Sequence, residues 1–258
     1  MTVLGLYVRD AGGWVSVRGL IRLLASLGVD SQAVRSSISR LKRRGLLIAE
    51  RRDGAAGYEL SAFARGVLEI GDRRIFSTRE GRLERWVLVV FSVPEAQRQK
   101  RHVLRSRLLW LGFGTVSSGV WIGPAHLVPD ARQVIEAEGL GDYVDLFVSE
   151  YLAFGDPADR VARWWDLDAL DAQYRAFIEW CAPVLERWRS TPERPTEPCF
   201  ADYVRVLTIW RRLPYQDPGL PPHLLPASWS GAAASETFFA LRELLEGPAH
   251  AYVDQVLL

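Results

Sequence analysis

Between Asp30 and Gly45 the chain reads DSQAVRSSISRLKRRG, and its reactive groups there are hydroxyls, one amide and a set of cations. At ~100° per residue of a helix, Gln32, Ser36, Ser39 and Arg43 share one side, Arg35 and Arg40 flank it, and Val34, Ile38 and Leu41 lie opposite. This is recognition chemistry: small hydroxyls permit close approach, and an arginine fork matches guanine O6 and N7, so the face suits the major groove of a duplex. Lys42 and Arg44 would sit nearer the phosphates, and Arg51 and Arg52 mark the tip of a following hairpin. A solvated basic face on a protein-binding module gives a similar pattern; the concentration of cations on this helix and hairpin favours DNA, because phosphate contacts position such a module.

The elements that must hold this face are legible around it. Val17, Leu20, Ile21 and Leu24 follow helical spacing behind Ser16, a residue suited to capping. The turn LGVDS offers Asp30 or Ser31 as the next cap, and Gly45 stands where a helix-ending residue belongs. Leu46 to Arg52 reads as a strand, Asp53-Gly54 as a hairpin turn and Gly57 to Leu60 as the return strand. The order is that of a winged helix-turn-helix, with double-stranded DNA as the expected partner. Ser61 would cap a further helix through Ala62, Val67, Leu68 and Ile75, and STREGR (Ser77 to Arg82) reads as a linker.

Charge supports a division of labour. The 258 residues carry a net +1, but residues 1–76 hold +6, residues 77–133 hold +5 and the remainder −10. A basic front on an acidic rear implies a polyanion-binding face joined to something that avoids the polyanion. The composition, 48% hydrophobic and 24% charged, is that of a globular protein and argues against disordered, collagen-like or coiled-coil chains. The longest apolar runs fall far below a membrane span, and the N-terminus lacks the basic n-region of a secretory signal; a cytoplasmic protein with no membrane partner is expected. His102, His126, His223 and His250 are scattered, Cys181 and Cys199 lack CxxC spacing, and no GxSxG, GxGxxG or Walker-type run occurs. No metal, cofactor or catalytic residue is therefore expected, and the protein is read as a non-enzyme.

Beyond the linker the pattern changes. Trp86 to Val93 is a continuous β-rich run stopped by Pro94, as expected of a strand covered on both faces. An amphipathic helix follows, with Val103, Leu104, Leu108 and Leu111 inward and Arg98, Arg101 and Arg105 outward. Gly114 to Ser117 and Val120 to Ile122 flank a Ser118-Gly119 turn, and a helix near Asp130 to Glu138 leads to a strand at Tyr143 to Val148. This βαββαβ order defines a ferredoxin-like unit.

Here the chain resembles the PaaX family of transcriptional regulators. RWVLVVFSVPEAQRQKRHVLRSRLLWLGFGTVSSGVWIGP is similar to the family's middle domain, itself similar to the small ferredoxin-like nuclease of CRISPR spacer acquisition. AVRSSISRLKRRGLL resembles its recognition helix, and WRRLPYQDPGLPPHLLPASWSG continues the likeness near the C-terminus. The resemblance implies a homodimeric repressor of a catabolic operon, released by an aryl-acyl-CoA thioester such as phenylacetyl-CoA. The nuclease relatives carry a metal-binding Asp near the end of the first strand; this chain has Ser92, a poor Mg²⁺ anchor, so a non-catalytic middle domain serving dimerisation and spacing is expected. The alternative is a metal-dependent nuclease with an attached winged helix.

From Asp156 the chain reads as helices interrupted by the proline-rich PYQDPGLPPHLLPASW. Leu170, Tyr174, Phe177, Ile178 and Cys181 fit one face, which reads as core. Within the region the resemblance assigns to effector binding, Trp210, Arg211 and Arg212 offer an aromatic for stacking beside cations for phosphate; a core Trp flanked by two solvated arginines is the competing reading. The expected architecture is α+β, with a winged helix over 1–76, a ferredoxin-like domain over 82–152 and a helical effector and dimerisation domain over 156–258.

Overall fold

A computed structural model describes residues 1–77, 85–152 and 154–257. The expected linker therefore lies, beyond Ser77, outside the described residues. The chain divides into two compact units, each described separately.

The first comprises Met1–Ser77, Ile178–Trp210 and Ser235–Leu258. A π-helical turn, Leu4–Val8, precedes β1 (Trp14–Ser16), α1 (Val17–Ala25), α2 (Ser31–Arg43), β2 (Leu47–Arg52), β3 (Ala55–Leu60) and α3 (Ala62–Ile75). The three strands form an antiparallel sheet in the order β1-β3-β2. The opening helical turn and β1 add to the elements expected from sequence. Both are short, and β1 depends on pairing Trp14 to Ser16 with Glu59 to Gly57 across the chain rather than on a local pattern.

The second unit comprises Thr78–Phe177 and Arg211–Ala234. Its β4 (Trp86–Phe91), α4 (Arg98–Trp110), β5 (Gly114–Ser117), β6 (Val120–Pro124), α5 (Val128–Ala137) and β7 (Val144–Ser149) follow the βαββαβ order. The sheet runs β5-β6-β4-β7, all neighbours antiparallel, which is the ferredoxin-like arrangement. Alternation splits β4 between two cores. Val87, Val89 and Phe91 pack with Leu104 and Leu108 of α4 and Ile135 of α5, whereas Trp86 packs with Ile122, Val161, Trp165 and Leu220. The run of apolar residues thus reflects burial on both faces.

Among the described residues the α-helices that follow are α6 (Pro157–Trp164), α7 (Leu167–Ser190), α8 (Thr196–Trp210), α9 (Leu213–Gln216) and α10 (Gly231–Leu257). Leu170, Tyr174, Phe177 and Cys181 of α7 are buried, as their spacing implies. No helix of the described residues is long and apolar enough to cross a membrane.

Candidate nucleic-acid interface

The geometry of α2 is fixed at both ends. The Asp30 carboxylate accepts the amides of Gln32 and Ala33, each at 2.9 Å, satisfying two free donors and placing negative charge at the positive end of the helix dipole. At the other end Gly45 takes φ +69°, the Leu46 amide donates to Leu41 at 3.0 Å and the Gly45 amide to Lys42 at 2.9 Å. This is a Schellman closure, and its left-handed residue explains the glycine. The buried Ser61 hydroxyl donates to the Gly45 carbonyl at 2.7 Å and accepts the Ala64 amide at 3.0 Å. One side chain thereby ties the end of α2 to the start of α3.

Burial sets the rotation of α2. Val34 and Ile38 face the core with Leu20 and Leu23. Gln32, Arg35, Ser36, Ser39, Arg40, Lys42, Arg43 and Arg44 are all exposed. None of these cations has a carboxylate partner among the described residues; Arg40 donates only to Ser37 Oγ, at 3.0 Å. Arg40, Arg43 and Arg44 also line an open concavity of about 630 Å³ with Ser37 and Leu41. The result is a cationic surface with short hydroxyls at its centre, able to approach a phosphate backbone closely and to present guanidinium forks.

The hairpin is of a different character. Asp53 (φ 50°) and Gly54 (φ 77°) close a two-residue turn with both residues left-handed, as the Asp-Gly pair implies. Arg51 is exposed and donates to the Gly54 carbonyl at 2.7 Å. Arg52 instead bonds Glu50 at 3.0 Å, lies 3.5 Å from Glu59 and sits 5.6 Å from the Trp14 ring centroid. Its guanidinium holds the Glu50 carboxyl below the usual carboxylate range through that hydrogen bond. Of the two tip arginines, Arg51 is thus exposed at the turn, while Arg52 is engaged within the sheet. Sequence reasoning passed over Trp14, Glu50 and Glu59. The only local signal was the i, i+2 spacing of Glu50 and Arg52, which places them on one face of a strand; Trp14 reaches them only through β1 pairing.

The winged helix is braced by the C-terminal helix. The Arg22 guanidinium donates to the Val256 carbonyl at 3.3 Å, and the hydroxyls of Ser26 and Tyr252 are 2.5 Å apart. A Cβ on Gly19 would fall 2.6 Å from Leu257 Cδ2, so this glycine permits close approach of α1 and α10.

Trp210 is buried. Its indole N–H donates to the Ile75 carbonyl at 2.9 Å, and its ring stacks on Phe238 at 4.8 Å and 11°. The core reading is the one the geometry supports, since the stacking and donor capacity expected for an effector are used internally. Arg212 is exposed. Arg211 is half-buried, its Nε lacks a hydrogen-bond partner among the described residues, and burial, followed by the adjacent Arg212 charge, lowers its pKa from the ordinary value. Ser92 is exposed at the end of β4 and its amide donates to the Tyr143 carbonyl at 3.0 Å. Among the described residues no group of three or more His, Cys, Asp or Glu could hold a metal ion.

Three family descriptions match the chain in order: "PaaX-like protein" over residues 1–64, "PaaX protein central Cas2-like domain" over 82–161 and "PaaX-like protein C-terminal domain" over 165–255. Over 249 residues the chain is 25% identical to the transcriptional repressor PaaX of Escherichia coli (strain K12), covering 95% of this chain and 78% of that protein. Its fold is similar to that of uncharacterized protein Rv0674 from Mycobacterium tuberculosis, with a TM-score of 0.59 and 21% identity over 99% of this chain and 97% of the other.

Proposed function

The chain belongs to the PaaX family of transcriptional repressor-like proteins, and from that premise we propose that it is a non-enzymatic, cytoplasmic repressor whose α2 lies in the major groove of an operator. The observation that carries the reading is the exposed face of Gln32, Arg35, Ser36, Ser39, Arg40, Lys42 and Arg43, opposite the buried Val34 and Ile38 and free of carboxylate partners among the described residues. Arg35 and Arg43 read base edges, Lys42 and Arg51 bind phosphates, and Arg52 stiffens the hairpin. The repressor acts as a homodimer on a partly palindromic site. The winged helix (1–76), ferredoxin-like segment (82–152) and helical segment (156–258) divide DNA binding, spacing and ligand response among them.

The effector is an aryl-acyl-CoA thioester, phenylacetyl-CoA first among candidates, and its binding releases the operator by favouring a conformation with mismatched half-site spacing. Arg211 and Arg212 are the candidate phosphate contacts; Trp210 contributes through the core that carries them. The test is a gel-shift titration on DNA upstream of the protein's own and neighbouring reading frames, with and without phenylacetyl-CoA. Tight, salt-sensitive binding that the intact thioester reverses supports the proposal. Equal affinity for operator and random DNA would overturn the base-reading role of α2, and insensitivity to a panel of acyl-CoA compounds would overturn the effector class.

A further inference from the structure

We propose that the end of α4 and the segment entering α9 form a site for a nucleoside phosphate, with the base stacked on Trp110 and the phosphate held by Arg211 and Arg212. The proposal rests on the effector reading above for the role of the two arginines, and adds to it a ring-binding surface and the part of the ligand that is recognised there. Every residue involved belongs to the second unit.

The arginines are uncompensated in an acidic region. Residues 134–258 carry −10, yet neither Arg211 nor Arg212 has a hydrogen bond or ion pair among the described residues. The Arg211 Nε is shut away from solvent, and burial, followed by the Arg212 charge, disfavours the cation, an effect that nearby Tyr215 partly offsets. An enclosed N–H costs free energy until an acceptor reaches it, and an anionic oxygen suits a guanidinium best.

The ring surface lies beside them. Arg212 has helical angles (φ −85°, ψ −33°) just ahead of α9, so Arg211 and Arg212 stand four and three residues before Tyr215 on one turn and neighbour its ring. Tyr215 stacks on Trp110 with centroids 4.2 Å and planes 23° apart, and Trp110 is still 47% exposed. One indole face is thus covered and the other is open to a further ring. The platform is fixed from behind. A Cβ on Gly112 (φ +83°) would fall 3.1 Å from the Tyr215 carbonyl oxygen, so the end of α4 meets α9 backbone to backbone. The Trp165 indole N–H donates to the Gly112 carbonyl at 2.9 Å, while Asp217 accepts the Tyr174 hydroxyl at 2.6 Å and the Gly219 amide at 2.7 Å. Such preorganisation reduces the ordering cost of binding.

The combination selects the occupant. An apolar partner would leave the Arg211 cation unpaired, and an acidic peptide would leave the indole face unused. A flat heteroaromatic base linked to phosphate uses both.

The full-length protein tests this by calorimetric titration with three probes: ADP as a free nucleotide, phenylacetyl-CoA as a thioester bearing a nucleotide, and phenylacetyl-pantetheine as the same thioester without one. Phenylacetyl-CoA should bind, and phenylacetyl-pantetheine should bind on the order of 100-fold more weakly through loss of the stacked base and the phosphate contacts. Trp110→Ala should weaken phenylacetyl-CoA binding ~5- to 150-fold and Arg211→Met on the order of 10-fold, whereas Leu109→Ala, at the exposed neighbour of Trp110, should leave it unchanged. Arg211→Met keeps the packing of the stem and removes an unpaired cation, so the ligand-free variant should melt no lower than wild type; a lower melting temperature would assign Arg211 to the fold and overturn its ligand role. Phenylacetyl-pantetheine that binds as tightly as phenylacetyl-CoA, or wild-type phenylacetyl-CoA affinity in both Trp110→Ala and Arg211→Met, overturns the site and leaves the effector class standing. ADP binding that both variants lose, with neither thioester binding, supports the site and overturns the effector class. Binding of no probe overturns both. Should Trp110→Ala fail to fold, Arg211→Met and the phenylacetyl-pantetheine titration decide.

Discussion

Two helices of this protein carry nearly the same chemistry on paper and put it to different uses. Both α2 (SQAVRSSISRLKR) and α4 (RQKRHVLRSRLLW) are short, basic and amphipathic, and each keeps two buried aliphatics, Val34 and Ile38 in one and Leu104 and Leu108 in the other. In α4, Arg101 bonds Glu95 at 2.8 Å, Arg107 bonds Glu138 at 2.6 Å, and Lys100 lies over the Tyr143 ring at 4.8 Å. In α2 no cation has a carboxylate partner among the described residues, and the centre of the exposed face is made of serines. Positive charge alone does not mark a groove-reading helix. What marks α2 is charge left uncompensated around side chains small enough to let a duplex approach.

The largest effect should come from removing that access. Ser39→Trp places an indole at the centre of the α2 face without touching Val34 or Ile38, so operator affinity should fall on the order of 100-fold or more, the loss of several base and phosphate contacts together. The melting temperature should stay within a degree or two, because Ser39 is exposed. A gel shift and a thermal melt on the same preparation check both. Unchanged affinity would remove the distinction between the helices.

Arg43→Ala comes next. Losing one bidentate base contact costs ~1–3 kcal/mol against the cognate base, about 5- to 150-fold, and should leave random-sequence binding nearly unchanged. Competition between operator and random DNA measures the ratio. Equal losses on both would recast Arg43 as a phosphate contact.

The legibility of the sequence follows the same divide between local and long-range causes. Asp30, Gly45, Ser61 and Asp53-Gly54 were readable because caps and tight turns are decided by a few consecutive residues. The ferredoxin-like strands were readable because burial on both faces of β4 leaves an unbroken apolar run. The ion pairs of Arg52 were not legible because its partners combine a position two residues back on its own strand, Glu50, with one across the hairpin, Glu59, beneath an indole supplied by β1. Trp210 was ambiguous for a related reason. A tryptophan before two arginines looks alike in a ligand pocket and in a core, and only Phe238 and the Ile75 carbonyl distinguish them.

The hairpin arginines sharpen the comparison within one element. Arg51→Ala should weaken operator and random DNA together by a few-fold and lower the salt dependence, since each lost phosphate contact reduces the log-log slope by ~0.9. Arg52→Ala should leave the slope unchanged, because that guanidinium already neutralises Glu50 and Glu59. Titrations at several salt concentrations separate the two variants. Equal slopes for them would mean that the carboxylate network releases Arg52 when DNA binds.

The smallest effect belongs to α4 and completes the contrast. Arg98 and Arg105 are exposed on that helix, so their substitution by alanine removes two positive charges from a surface as basic by composition as α2. If long-range charge governed binding, this double variant would lose affinity in proportion to the charge removed, and the loss would fade as salt shortened the screening length from ~10 Å at 0.1 M to ~3 Å at 1 M. If contact governs, affinity should change less than two-fold at physiological salt and the slope should stay at the wild-type value, while Lys42→Ala, removing only one charge, should lower the slope by nearly one. One charge on α2 is thus expected to matter more than two on α4, and the reverse ranking would place the nucleic acid on the ferredoxin-like sheet domain instead of the winged helix.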